Sequence, residues 1–241
     1  SSCRHELTGL KAEYEVDEVH YVDELKSVIE AYNPSKIYVS RGKNTDSNAF
    51  SVPAHVEGLE GVAYDDSRLY ADVVECRMIK NEEEIKLMKF VNEISSEAHF
   101  QVMRRVRPGM MEYQMEALFI SHTYYFGGCR LLSYTAICGS GKNSATLHYG
   151  HSGAPNNKKI QDGDMILVDM GAELHGYASD ITNCFPANGR FTEDQILIYE
   201  TVSEMQKAVL DAMRPGVLWT DMHTLAYRVL CERLTAAQLL T

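Results

Sequence analysis

No Cys-x-x-Cys pair occurs in this chain, and its six cysteines (Cys3, Cys76, Cys129, Cys138, Cys184 and Cys231) follow no regular spacing. A disulfide framework is therefore not expected; reduced thiols and a cytoplasmic location are. No apolar stretch is long enough to cross a bilayer, and no signal peptide opens the sequence. Basic residues are scarce: 23 Lys and Arg stand against 34 acids, a formal net charge of −11, with no basic cluster. Neither nucleic acid nor an anionic membrane is the partner such a surface expects. Two catalytic motifs are missing as well. Gly150-His-Ser152-Gly lacks the frame of a nucleophile elbow. Gly139-Ser-Gly-Lys-Asn143 has Ala136 where a phosphate-binding loop requires glycine and Asn143 where it requires Ser or Thr, so it reads as a five-residue hairpin turn.

What is present is a globular composition: 241 residues, 45% of them hydrophobic, enough for a substantial core. Val16–Tyr32 has helical periodicity (Val19, Val22, Leu25, Val28, Ile29), and Pro34 ends it before the strand-like Lys36–Ser40. One helix–strand unit is too little to close a sheet, so residues 1–75 are expected to be a partial α/β domain. From Asn81 a capping box with Glu84 opens a long helix, along which Ile85, Met88, Val91, Ile94 and Ala98 lay an apolar stripe. Glu82, Glu83 and Glu84 complement that helix's dipole.

An internal repeat follows. Ser96-Glu97, Arg107-Pro108-Gly109, Met115 and Leu118 recur as Ser203-Glu204, Arg214-Pro215-Gly216, Met222 and Leu225, each 107 positions later. Both copies read helix, Arg-Pro-Gly turn, helix, which suggests duplicated halves related by a pseudo-two-fold axis. Strands are expected after the first copy, around Leu132–Cys138, Ala145–Tyr149 and the segment that follows.

That segment, LVDMGAELHGYASDIT, is the centre of the chain's chemistry. Pairing its arms about a turn at Glu173–Gly176 puts Leu174 and His175 at the tip and Asp169 directly opposite Asp180. Opposed carboxylates about 5 Å apart repel by about 3 kcal/mol at an effective dielectric near 20. Asp180 capping a turn and Asp169 pairing with a lysine remain open as alternatives. The apolar run Met165–Val168 shifts the weight, because an aspartate ending a buried strand needs a partner. A hard divalent cation such as Mn²⁺, or a pair of them, meets that need. Gly171, Ala178 and Thr182, on the same faces, leave room for it. The strand and turn assignments place Tyr134 opposite His148, while the spacing His148-Tyr-Gly-His151 is by itself weak evidence for metal.

Three stretches carry a resemblance: Leu147-His-Tyr-Gly-His-Ser-Gly-Ala-Pro-Asn156, Gly163-Asp-Met-Ile-Leu-Val-Asp-Met-Gly171 and Ser179-Asp-Ile-Thr-Asn-Cys-Phe-Pro-Ala-Asn-Gly189. They resemble the pita-bread metallopeptidases of prolidase (Xaa-Pro dipeptidase) type, and the likeness runs through essentially the whole chain. It implies an α/β (α+β) architecture, with a partial N-terminal domain over 1–75 and the first half of a duplicated catalytic domain over 76–241. It implies hydrolysis of proline-containing dipeptides by two divalent metal ions, Mn²⁺ first and Zn²⁺ or Co²⁺ as alternatives, in a cytoplasmic homodimer. Asp169 and Asp180 are then metal ligands, with Asp180 bridging. His148 binds substrate and stabilises the intermediate. Beside them, Thr182 and Tyr134 are candidates to support the ligands, with core or surface packing the alternative for Tyr134. The family's remaining ligands, a histidine in an H-G-x-G-H segment and two glutamates, lie in segments not present here. Both ends are therefore expected to be cut, and this chain alone to be inactive. An Xaa-Pro aminopeptidase, or a non-catalytic binding protein of the same fold, is the alternative.

Overall fold

The structure is a computed structural model that describes residues 7–240. It divides into two compact units, one up to Lys80 and one from Asn81. The first holds helices α1 (Leu7–Tyr14) and α2 (Leu25–Tyr32), a parallel pair of strands β1 (Lys36–Tyr38) and β2 (Ala63–Asp65), and helix α3 (Leu69–Met78). Of its described residues only Val39 and Leu59 are buried. The helix expected over Val16–Tyr32 is shorter than its periodicity suggests. Glu15 sits at φ 51°, which ends α1, and the helical backbone resumes only at Val22, where the Glu24 carboxylate accepts from the Tyr21 N–H at 2.8 Å.

The second unit opens with α4 (Glu82–Arg105), capped as its sequence predicts: Glu84 N–H donates to Asn81 Oδ1 at 2.9 Å, and Asn81 N–H to Glu84 Oε2 at 2.7 Å. The buried stripe is Val91, Ser95, Ala98, His99 and Val102, while Ile85 at the exposed end is 42% accessible. Helix α5 (Glu112–Gly127) packs beside it. Short strands β3 (Leu131–Leu132) and β4 (Ile137–Ser140) follow, then β5 (Met165–Met170), β6 (Ala172–Leu174), β7 (Tyr177–Ala178) and β8 (Ile181–Pro186). β5 is the centre of an antiparallel sheet between β4 and β8, and β6 the centre of a second between β3 and β7. Ile166, Val168 and Met170 are fully buried, together with Val91, Ala98, Val102, Met115 and Phe119 of the helices. Met165, Leu167 and Asp169, of opposite parity, remain half-exposed. One face of the sheet thus makes the core and the other stays open.

Helices α6 (Glu193–Ala212) and α7 (Trp219–Ala236) complete the chain and repeat the first pair. α4 and α6 end 107 residues apart, and α5 and α7 begin 107 apart. Gly109 and Gly216 turn at φ 96° and 92°. Met110 N–H donates to Arg107 O at 3.2 Å and Val217 N–H to Arg214 O at 3.3 Å. The repeat seen in the sequence is therefore a repeat of backbone geometry.

Two strand expectations fail. Residues 133–136 break the Leu132–Cys138 run into β3 and β4, and Ala145–Tyr149 forms no strand. Gly141–Ala145 is a tight 3-10 turn rather than part of a five-residue hairpin. His148 therefore stands in a connection, and no ladder sets it opposite Tyr134. The reason lies in the side chains: Ser140, Asn143 and Tyr149 all donate to the buried Glu112 carboxylate and curl the segment onto α5.

Candidate metal centre

Asp169 lies on the open face near the end of β5, paired with Ile137 on one side and Thr182 on the other. It is not directly opposite Asp180. The register Met170↔Ile181 and Leu174↔Tyr177 places the tip at His175–Gly176. Both tip residues have positive φ, 51° and 83°, the requirement of a two-residue type I′ turn. Asp180 is accordingly a diagonal neighbour of Asp169, two residues from the opposed position. An even displacement preserves parity, so both carboxylates stand on one side of the ribbon.

Tyr134, from the break between β3 and β4, reaches both. Its hydroxyl hydrogen-bonds Asp169 Oδ1 and lies 3.1 Å from Asp180 Oδ1. Burial, then the bond to Asp169, pushes its ionisation well above the ordinary tyrosine range. The hydroxyl therefore keeps its proton, but one proton serves two acceptors.

Between the two aspartates the strands approach with no space for a side chain. A Cβ on Gly171 would lie 1.8 Å from Ser179 O. Ser95 of α4 locks this point from behind: its Oγ is 2.7 Å from Ser179 Oγ, and Ala172 N–H donates to the two hydroxyls at 3.2 and 3.0 Å. Ser133 adds a bond from Oγ to Ala172 O at 2.8 Å. His99, buried on the same helix, holds Met170 O with Nε2 at 2.9 Å. Since a carbonyl only accepts, Nε2 carries the proton and Nδ1 is the bare nitrogen. Burial lowers the ring's pKa, and the neutral imidazole is the resident form.

Sequence reasoning missed Ser95, His99 and Glu112. His99 was legible as the residue beside Ala98 on the buried stripe. Glu112, the first residue of α5, carries no local signal, because its partners come from residues 140–158. Tyr134 reaches both aspartates and Thr182 pairs with Asp169, whereas His148 is exposed in its connection.

The sequence pattern of metallopeptidase family M24 matches residues 86–238. The chain belongs to that family. This M24 chain is 49% identical to the Xaa-Pro dipeptidase of Homo sapiens across 95% of its length and 47% of the relative's. It is 48% identical to that of Rattus norvegicus across 98% of its length and 48% of the relative's. Among solved structures, aminopeptidase PepP of Pseudomonas aeruginosa superposes with a TM-score of 0.82 at 30% identity, covering 99% of this chain and 55% of that one. Zinc-substituted E. coli aminopeptidase P in complex with product gives 0.81 at 28%, with 99% and 55% covered. The M24 chain thus spans about half the length of the relatives it matches, and its mixed α/β architecture is the pita-bread fold.

Membership of a metallopeptidase family implies divalent metal ions. The donor set fits them in part: two acceptor-only carboxylates converge on the open face of a rigid ribbon, with one proton between them. Among the described residues no group of three or more His, Cys, Asp or Glu gathers to enclose an ion.

Proposed function

We propose that this M24 chain carries half of the catalytic apparatus of an Xaa-Pro dipeptidase. The observation that carries the reading is the identity of 49% to a dipeptidase, against 33% to 35% to relatives named as probable Xaa-Pro aminopeptidases. Asp169 and Asp180 would hold the divalent metal, Mn²⁺ before Zn²⁺ or Co²⁺. Bound divalent ions supply Lewis-acid polarisation and ready ionisation of water at neutral pH. The chain's own residues do the rest. Tyr134 orients Asp169 through its hydroxyl, Thr182 supports from the opposed strand, and His148 binds substrate and donates to the oxygen that gains charge at the scissile carbonyl.

The proposed organisation is a partial α/β domain over 1–75 and catalytic-domain residues over 76–241, acting as a cytoplasmic homodimer on proline-containing dipeptides. A net charge of −11 supports leaving nucleic acid and membranes out of the list of partners. No helix among the described residues is long and apolar enough to cross a membrane.

The test uses the product of the complete reading frame, loaded with Mn²⁺, on Gly-Pro and on the tripeptide Gly-Pro-Ala. Cleavage of the dipeptide by preference is expected. Preference for the tripeptide would replace this reading with an Xaa-Pro aminopeptidase, and cleavage of neither would overturn both.

A further inference from the structure

Glu112 is fully buried, and a carboxyl group withdrawn from water is costly unless its oxygens accept hydrogen bonds. Here they do. Oε1 accepts from the Ser140 N–H at 2.7 Å, the Ser140 hydroxyl at 2.8 Å and Asn143 Nδ2 at 3.1 Å. Oε2 accepts from the Tyr149 hydroxyl at 2.7 Å and the Lys158 N–H at 3.0 Å. Every donor belongs to one stretch of chain. Ser140 ends β4, Asn143 begins the connection to β5, Tyr149 sits at its middle, and Lys158 lies on its return.

The same connection is fastened to α5 by the backbone. Glu112 N–H donates to Lys158 O at 3.0 Å and Tyr113 N–H to Asn156 O at 2.7 Å. Asn143 Nδ2 also donates to the Tyr149 hydroxyl at 2.8 Å. Beyond Tyr149 the chain runs hard against the residue that precedes β4: Gly150 turns at φ 93°, and a Cβ there would lie 2.1 Å from Ala136 O. His148 stands between this anchored Tyr149 and an exposed Leu147.

We infer that Glu112 is a positioning residue: by gathering Ser140, Asn143, Tyr149 and Lys158 onto one carboxylate, it fixes where His148 stands relative to β4 and the aspartates. The inference rests on the role given to His148 above. An apolar side chain would fill the same space without withdrawing a carboxyl group from water. A carboxylate with two donors from the end of β4 and three from the connection that follows instead specifies a single path for that connection.

Two variants test it. Tyr149→Phe removes one hydroxyl and keeps the ring. Glu112→Gln keeps the shape but replaces one acceptor oxygen with an amide that cannot accept. Hydrogen–deuterium exchange on the 241-residue chain should show residues 143–158 exchanging about five- to tenfold faster in Tyr149→Phe, the effect of one lost hydrogen bond, and faster still in Glu112→Gln, with α4 and β5 unchanged. In the Mn²⁺-loaded product of the complete reading frame, kcat/KM on Gly-Pro should fall by about the same factor, because His148 both binds substrate and acts on the transition state. In a His148→Ala background the same substitutions should have no further effect. Unchanged exchange over 143–158 would overturn the inference, as would an equal loss of kcat/KM with and without His148. If the unsubstituted enzyme cleaves no Xaa-Pro peptide, the functional reading fails, and the exchange measurement still decides whether Glu112 holds the connection.

Discussion

Tyr134 has one proton to share between Asp169 and Asp180, and that shortage sets the electrostatics of the site. Sharing one hydroxyl keeps the aspartates' nearest oxygens about 6 Å apart or less, where two carboxylates at an effective dielectric near 20 repel by about 3 kcal/mol. Asp180 is exposed, and solvent screening reduces this to about 1 kcal/mol or less. Asp180→Asn should therefore raise the metal-free chain's stability by up to about 1 kcal/mol in urea unfolding. In the complete enzyme the same change should abolish Gly-Pro cleavage. A second residue-scale prediction concerns His99, whose folded pKa lies below the ordinary value because of burial. The unfolded chain then binds the proton more readily, so stability is fully present above about pH 6.5. It falls as acid passes from there down to the folded pKa, below which the loss is constant. His99→Gln should flatten that part of the pH–stability curve in urea titrations between pH 7 and pH 5.

At the scale of elements, the hairpin shows how a turn overrides a plausible alignment. The reading of Glu173–Gly176 as the turn centred the tip on Leu174 and His175, but the tip needs two residues with positive φ. His175 and Gly176 supply them, and the Gly176 N–H is held by Glu173 Oε1 at 2.8 Å. Gly176→Ala adds a Cβ at a left-handed position and should destabilise the chain by about 1 kcal/mol, read from the urea midpoint, without moving Tyr134 from Asp169. The α4–α5 and α6–α7 pairs were legible because Arg-Pro-Gly marks a helix end twice, and proline and glycine act locally. The helix over Val16–Tyr32 was misread for the converse reason. Periodic apolar residues suit a helix, yet Glu15 and the Tyr21–Glu24 cap break the backbone where periodicity is blind.

At the scale of the molecule, two carboxylates leave most of a divalent ion's coordination sphere to water. The chain by itself should bind Mn²⁺ with a Kd on the order of 10⁻⁴ M or weaker in calorimetric titration, and show no turnover of Gly-Pro. Nanomolar binding would mean that ligands beyond Asp169 and Asp180 are engaged. The second helical pair adds a further expectation. Val202, Leu210, Trp219 and Tyr227 are each more than half exposed, an apolar surface of the kind that promotes association. Sedimentation velocity should show the chain's weight-average mass rising with concentration.

By itself the sequence determined what local chemistry can carry: the Asn81 cap, the alternating burial of β5, the duplicated helix–turn–helix, and the parity that keeps Asp169 and Asp180 on one side. Each follows from backbone periodicity or from a residue acting on its near neighbours. Tertiary structure decided the rest. The hydroxyl between the aspartates comes from 35 residues before Asp169, and Ser95 reaches the Gly171–Ser179 crossing across 84 positions. The path of the His148 connection is set by a carboxylate on another helix, bonded to Tyr149 from 37 positions away. A lone polar residue on a helix carries no mark of the donors that folding will bring to it, because those bonds exist only once distant segments pack and exclude water.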